Sequence, residues 1–151
     1  MRIFQTLQEM VDQVGQELAV SDWIEITQER INLFAQATGD HQWIHVDPER
    51  ARSGPFGSTI AHGFLTLSLM PAFFDSALKV NQTRMSVNYG VNKVRFTSPV
   101  PVGAKLRARI TLKSAEPIEP QGFQMTYTVV VEREGADKPV CVAETIARRY
   151  A

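Results

Sequence analysis

Between Phe64 and Leu78 the chain reads FLTLSLMPAFFDSAL. On a helix, Phe64, Leu65, Leu67, Leu69, Met70, Ala72, Phe73, Phe74, Ala77 and Leu78 would cover nearly the whole circumference. A helix of that kind is expected to be enclosed by the protein rather than laid on its surface. The run contains Pro71 and Asp75 and is too short to span a bilayer. Downstream the period changes. Leu106, Ala108, Ile110 and Leu112 alternate with Arg107, Arg109, Thr111 and Lys113, and Phe123, Met125, Tyr127, Val129 and Val131 alternate with polar neighbours. Each pattern predicts a half-buried strand. Residues 85–97 and 140–150 read as two more, and the segments Glu116–Gly122 and Glu134–Pro139 are rich in turn formers. Short links predict an antiparallel meander, wrapped around the apolar helix in an α+β arrangement. One open sheet exposes an edge, so pairing with a second copy is expected.

Upstream, Leu7, Met10, Val11 and Val14 share one helical face within Thr6–Val14, and Gly15 can close that helix. Glu17–Ile26 looks extended. Thr27 is placed to cap a second helix, whose buried face is Ile31, Phe34, Ala35 and Thr38 and whose end is Gly39. Asp40 then stands at the helix exit, followed by a loop through His41, Gln42 and Trp43. Asp47-Pro48 resembles another helix start, with Asp47 as cap and Pro48 in the first turn.

The chain has 151 residues, 44% of them hydrophobic, with no repeat or Pro/Gly/Ser-rich linker. One domain over residues 1–151 is the economical reading. Sixteen basic residues balance sixteen acidic ones, and no basic stripe is present. That disfavours nucleic acid and anionic membranes as partners. Cys141 is the only cysteine, so no internal disulfide can form and a Cys-based zinc site is disfavoured. Met1–Gly15 carries Glu9 and Asp12 and lacks an apolar signal core, so a reduced, cytoplasmic location is expected.

All three histidines, His41, His45 and His62, lie in one stretch with Asp40, Asp47, Gly39, Gly54, Gly57 and Gly63, next to the apolar run. Titratable residues beside an apolar cavity are the usual composition of a ligand site. Ordinary loop histidines and a capping aspartate would give the same pattern. Asp40, His45 and His62 could together hold a metal, but no His-x-x-x-His pair and no second cysteine are present. No Gly-x-Ser-x-Gly elbow offers a serine nucleophile, and Gly54–Gly63 lacks the lysine of a phosphate loop. Acid–base work by a carboxylate and an imidazole remains. His62-Gly63 opens the apolar helix, where unpaired N–H groups could polarise a carbonyl. The glycine either admits a substrate to the backbone or serves only turning and packing.

Phe34-Ala35, Thr38-Gly39-Asp40, Ile44-His45-Val46-Asp47, Ala51, Phe56-Gly57 and Ile60-Ala61-His62-Gly63 together resemble the signature of the MaoC-like (R)-specific enoyl-CoA hydratases and 3-hydroxyacyl-thioester dehydratases. Asn88-Tyr89-Gly90, Lys93-Val94-Arg95-Phe96 and Pro99–Gly103 are similar to its NodN-like branch, and the likeness is close to single-domain actinobacterial members. The resemblance implies a hot-dog fold, a dimer of hot dogs, and no dissociable cofactor or metal. It implies that Asp40 and His45 hold one water, and that the Gly63 N–H receives the thioester carbonyl. The implied reaction is hydration of trans-2-enoyl-CoA, or reverse dehydration of (R)-3-hydroxyacyl thioesters, in fatty-acid metabolism. The substrate would be an acyl-CoA or acyl-carrier-protein thioester. By analogy its pantetheine arm runs along the seam of a homodimer, past Ile60, Ala61, His62 and Gly63 and past Ser86, Val87, Asn88 and Tyr89. One departure is Pro71, where some members carry a serine; Ser68 lies one turn earlier.

Two rival readings differ in chemistry. A hot-dog acyl-thioesterase would hydrolyse the same thioester, and a non-catalytic acyl-thioester-binding subunit would serve a hetero-oligomeric dehydratase. Asp40 and His45 five residues apart favour the hydratase over the first. Asp40, His45 and Gly63 intact in one chain argue against the second.

Overall fold

The computed structural model describes residues 1–151. In chain order it contains β1 (Arg2–Phe4), α1 (Leu7–Val11), β2 (Glu17–Val20), β3 (Ile24–Glu25), α2 (Gln28–Thr38), α3 (Trp43–Val46) and α4 (Pro48–Arg52). There follow α5 (Gly63–Ser68), α6 (Met70–Ala77), β4 (Leu78–Val80), β5 (Met85–Arg95), β6 (Lys105–Ile118), β7 (Gly122–Arg133) and β8 (Cys141–Tyr150).

The alternation on β6 and β7 does what its period requires. Leu106, Ala108, Ile110 and Leu112, with Met125, Tyr127, Val129 and Val131, are all 0% exposed and share a core cluster of 26 buried residues with Phe73 and Leu65. Their polar neighbours face outward, where Glu132 takes both Arg107 (2.9 Å) and Arg109 (2.6 Å). The sheet order is β2-β6-β7-β8-β5, with β3 also paired to β6 and every one of these pairings antiparallel. Strands β6, β7 and β8 form the expected meander, but β5 does not join it next to β6. It crosses to the far end and pairs with β8, leaving its other side as the sheet edge. Sequence patterning fixes which face of a strand is buried and carries no signal for this crossover. A second small sheet, also unanticipated, pairs β1 with β4 in parallel.

The apolar run differs from expectation in two ways. It is two helical segments, α5 and α6, joined at Leu69, and Leu78 already belongs to β4. Pro71 is the cause: it has no N–H to give the Leu67 carbonyl, so the ladder breaks there. Nor is the run wholly enclosed. Leu65, Leu69, Met70, Phe73 and Ala77 are buried on the sheet, whereas Phe64, Ser68, Pro71, Ala72 and Asp75 form an exposed face, with Phe64 67% exposed. No helix is long and apolar enough to cross a membrane.

Candidate active site

Helix α2 delivers the first site residue. The Thr27 hydroxyl accepts the Arg30 N–H at 3.1 Å and caps its start. Gly39, at φ +82°, ends it by giving its N–H to Ala35 O at 2.8 Å, a left-handed turn that glycine adopts without steric cost. Asp40 therefore leaves the helix exposed, its Oδ1 accepting the Gln42 N–H at 3.3 Å. Trp43 is not part of an open loop, as the sequence had implied. It starts the helical turn α3, which carries His45, and the His45 N–H is bound to Gln42 O at 3.0 Å. Asp47 then caps α4, accepting the Arg50 N–H at 3.1 Å, with Pro48 in the first turn.

His45 is 7% exposed, and its Nδ1 lies 2.7 Å from the Ile60 carbonyl oxygen. A carbonyl only accepts, so Nδ1 carries the proton and the neutral ring keeps its lone pair on Nε2. Burial holds the His45 pKa below 6.5; the Ile60 bond opposes that shift, the neighbouring His62 adds to it and Asp40 opposes it. His62 is also buried. Its Nε2 donates to the Asp40 main-chain carbonyl at 3.0 Å, and its ring stacks on His45 with centroids 3.8 Å apart and planes 22° apart. The Phe34 ring also packs on His62, tilted by 58° with centroids 4.9 Å apart.

Asp40, His45 and His62 each offer a ligand atom, all within 4.8 Å of one another. Their orientation does not make a metal tripod. Imidazole lone pairs lie in the ring plane, and these two planes are nearly parallel. An ion about 2.0–2.1 Å from one nitrogen in its own plane would stand well off the plane of the other. A carboxylate beside a neutral imidazole lone pair suits proton transfer instead.

Ile60, Ala61, His62 and Gly63 are brought to this cluster as one threaded segment. Ile60 N–H binds Ile44 O at 3.0 Å and Ala61 N–H binds Val100 O at 2.8 Å. Gly63 opens α5, and its N–H has no acceptor within the chain. The side of Gly63 that a Cβ would occupy is already filled, with Phe96 ring carbons 2.6–2.9 Å from that position. The missing side chain thus makes room for Phe96 there, not for a ligand.

Ser86, Asn88 and Tyr89 lie elsewhere in the chain, lining a cavity of about 610 Å³ together with Leu67, Phe74, Tyr127 and Arg149. Val87 is not in its lining, and neither are Asp40, His45 or Gly63. The residues named from the sequence therefore fall into two groups that the lining of this cavity does not join. Sequence reasoning missed Phe96, Gln28 and Thr59. Gln28 Nε2 donates to His45 O at 2.8 Å, and its Oε1 accepts the Thr59 hydroxyl at 2.6 Å. These contacts link distant segments, and no local pattern announces them.

The chain is similar to known proteins over most or all of its length. The MaoC like domain model matches residues 9–135. The 3-hydroxyacyl-thioester dehydratase Z of Mycobacterium tuberculosis is 51% identical over 151 residues, covering 100% of both chains. Nodulation protein N of Rhizobium leguminosarum bv. viciae is 46% identical over 143 residues, 93% of this chain and 89% of that one. Among solved structures, an R-hydratase from Pseudomonas aeruginosa in its unliganded form superposes with a TM-score of 0.67 at 27% identity, covering 89% of this chain and 79% of the other. With its antiparallel sheet packed against a broken apolar helix, the chain thus belongs to the MaoC-like dehydratase family of hot-dog proteins.

Proposed function

We propose that this chain is a hydro-lyase that adds water to trans-2-enoyl thioesters and, in reverse, dehydrates (R)-3-hydroxyacyl thioesters. The observation that carries the mechanism is the His45 tautomer. With Nδ1–H engaged by Ile60 O, Nε2 is left as an unprotonated base, and a ring nitrogen of His45 lies within 4.8 Å of the Asp40 carboxylate. A water held between them gives a proton to this pair as its oxygen bonds the β-carbon. The pair then returns that proton to the α-carbon on the same face, which restores the neutral base, and in between the thioester oxygen carries the transient negative charge. The free Gly63 N–H at the start of α5 is the donor assigned to that oxygen. The 51% identical dehydratase supports the reaction class.

The carrier is CoA or acyl-carrier protein, and the cavity lined by Ser86, Asn88 and Tyr89 is assigned to the thioester chain. A homodimer joins this cavity to the Asp40–His45 cluster. Strand β5 supports it: every residue except Val94 is exposed, including Val87, Tyr89 and Val91, and one side of the strand is unpaired. The single core cluster supports reading residues 1–151 as one domain. A lone buried thiol, Cys141, suits a reducing cytoplasm.

The test uses purified chain with crotonyl-CoA and longer enoyl-CoAs. Loss of enoyl absorbance without free thiol is expected. Thiol release at the same rate would identify a thioesterase, and absence of turnover over all chain lengths would identify a binding subunit.

A further inference from the structure

Gln28 occupies the first turn of α2, directly after the capping Thr27, and both ends of its side-chain amide are engaged. Nε2 donates to His45 O at 2.8 Å and to Asn32 Oδ1 at 2.9 Å, while Oε1 accepts the Thr59 hydroxyl at 2.6 Å. The amide cannot be turned over, because the His45 carbonyl has no proton to give and must face the NH₂. Thr59 is 1% exposed, so its hydroxyl has no recourse to solvent.

These bonds close a ring. The His45 imidazole reaches the Ile60 carbonyl at 2.7 Å, Ile60 is covalently joined to Thr59, Thr59 reaches the Gln28 amide, and Gln28 returns to the carbonyl of His45 itself. Both ends of the Nδ1–H to Ile60 bond are thereby tied to one side chain on a third element. That bond decides which nitrogen of His45 carries the proton.

We infer that Gln28 is a positioning residue which, with Thr59, fixes the tautomer and direction of the His45 ring. The inference rests on the reading of His45 as the base of the hydration reaction. Glutamine is the side chain that suits the place: glutamate would set a carboxylate against the His45 carbonyl, and methionine would leave both Thr59 and His45 unpartnered.

The test compares the intact parent protein with Gln28→Met and with Thr59→Val, which cuts the same ring at another link. Thr59→Ser, which keeps the hydroxyl, serves as rescue. Nitrogen NMR of labelled histidine reads the tautomer, and crotonyl-CoA hydration reads kcat and KM separately. The parent and Thr59→Ser should show His45 protonated on Nδ1 alone. Gln28→Met and Thr59→Val should show both tautomers, with kcat lower by about 10- to 100-fold and KM little changed. A His45 spectrum identical to the parent in both ring-cutting variants overturns the inference. A changed spectrum with parental kcat would instead overturn His45 as the acting base, so the two failures are distinguishable.

Discussion

His62 lies face to face with His45, 3.8 Å between ring centroids, while its Nε2 holds the main-chain carbonyl of Asp40 at 3.0 Å. One buried ring therefore spaces the two residues assigned to proton transfer, through the side chain of one and the backbone of the other. Stacking also places a second imidazole where a proton on His45 would be least welcome. This adds to the burial that already disfavours the charged form.

The pH dependence of hydration follows from that bias. With its pKa held below 6.5, His45 is neutral near physiological pH and available as a base. The expected profile of kcat/KM is level around neutrality and falls as pH drops through the lowered pKa. Stability carries the same sign: between the lowered folded value and about 6.5, the unfolded chain binds the proton and the folded chain does not. The His45 contribution is thus fully present above that window and is lost as pH falls through it. Melting temperatures and rates measured across mildly acid pH test both. An acid limb that persists unshifted in the residual activity of His45→Gln would assign it to another group.

Gly63 is held to glycine by Phe96, whereas the reaction asks only for its backbone N–H. A methyl group there would stand 2.6–2.9 Å from three carbons of the Phe96 ring. Gly63→Ala is expected to cost about 1–3 kcal/mol, the usual range for overpacking. Made on top of Phe96→Ala, the same change should cost almost nothing, which a double-mutant cycle of melting curves would register. Equal losses in both backgrounds would show that the ring moves aside freely.

Strand β5 is the proposed dimer edge, long, free on one side and carrying the exposed Val87, Tyr89 and Val91. Light scattering of the parent should give twice the chain mass. Lysines at Val87 and Val91, both exposed, should yield monomers with much reduced turnover, since charged edge residues oppose strand pairing. A parent that is monomeric and fully active would remove the homodimer from the mechanism.

What the sequence disclosed was local. Thr27 and Gly39 bracket α2 because a hydroxyl cap and a left-handed glycine are requirements of single helix ends. Leu106 to Leu112 disclosed their buried face through a period of two. The resemblance carried by Asp40, His45 and Gly63 added site candidates that periodicity alone left open. The break at Leu69 was readable from Pro71, but the strength of the apolar run masked it. The crossing of β5 to β8, the filling of the Gly63 face by Phe96, and the Gln28 link from Thr59 to His45 were not readable. Each is a contact between segments distant in sequence and is decided by packing.

Asp40 and His45 are expected to act as one unit on one water, although one follows a helix end and the other sits within a helical turn. Removal of a general acid–base group typically costs about 10²- to 10⁴-fold in rate. If both groups serve the same proton relay, Asp40→Asn should cost nearly as much as Asp40→Asn combined with His45→Gln, because residues that work as a unit are strongly non-additive. Asparagine keeps an oxygen for the Gln42 N–H that Asp40 now accepts, so its effect on folding should be small. Glutamine at 45 loses the Nδ1–H bond to Ile60, and its melting curve must be recorded beside its rate. Steady-state hydration of crotonyl-CoA by the two single variants and the double variant decides the matter. Losses that multiply in the double variant would mean two independent tasks, and near-parental rates in both singles would move the chemistry away from this pair.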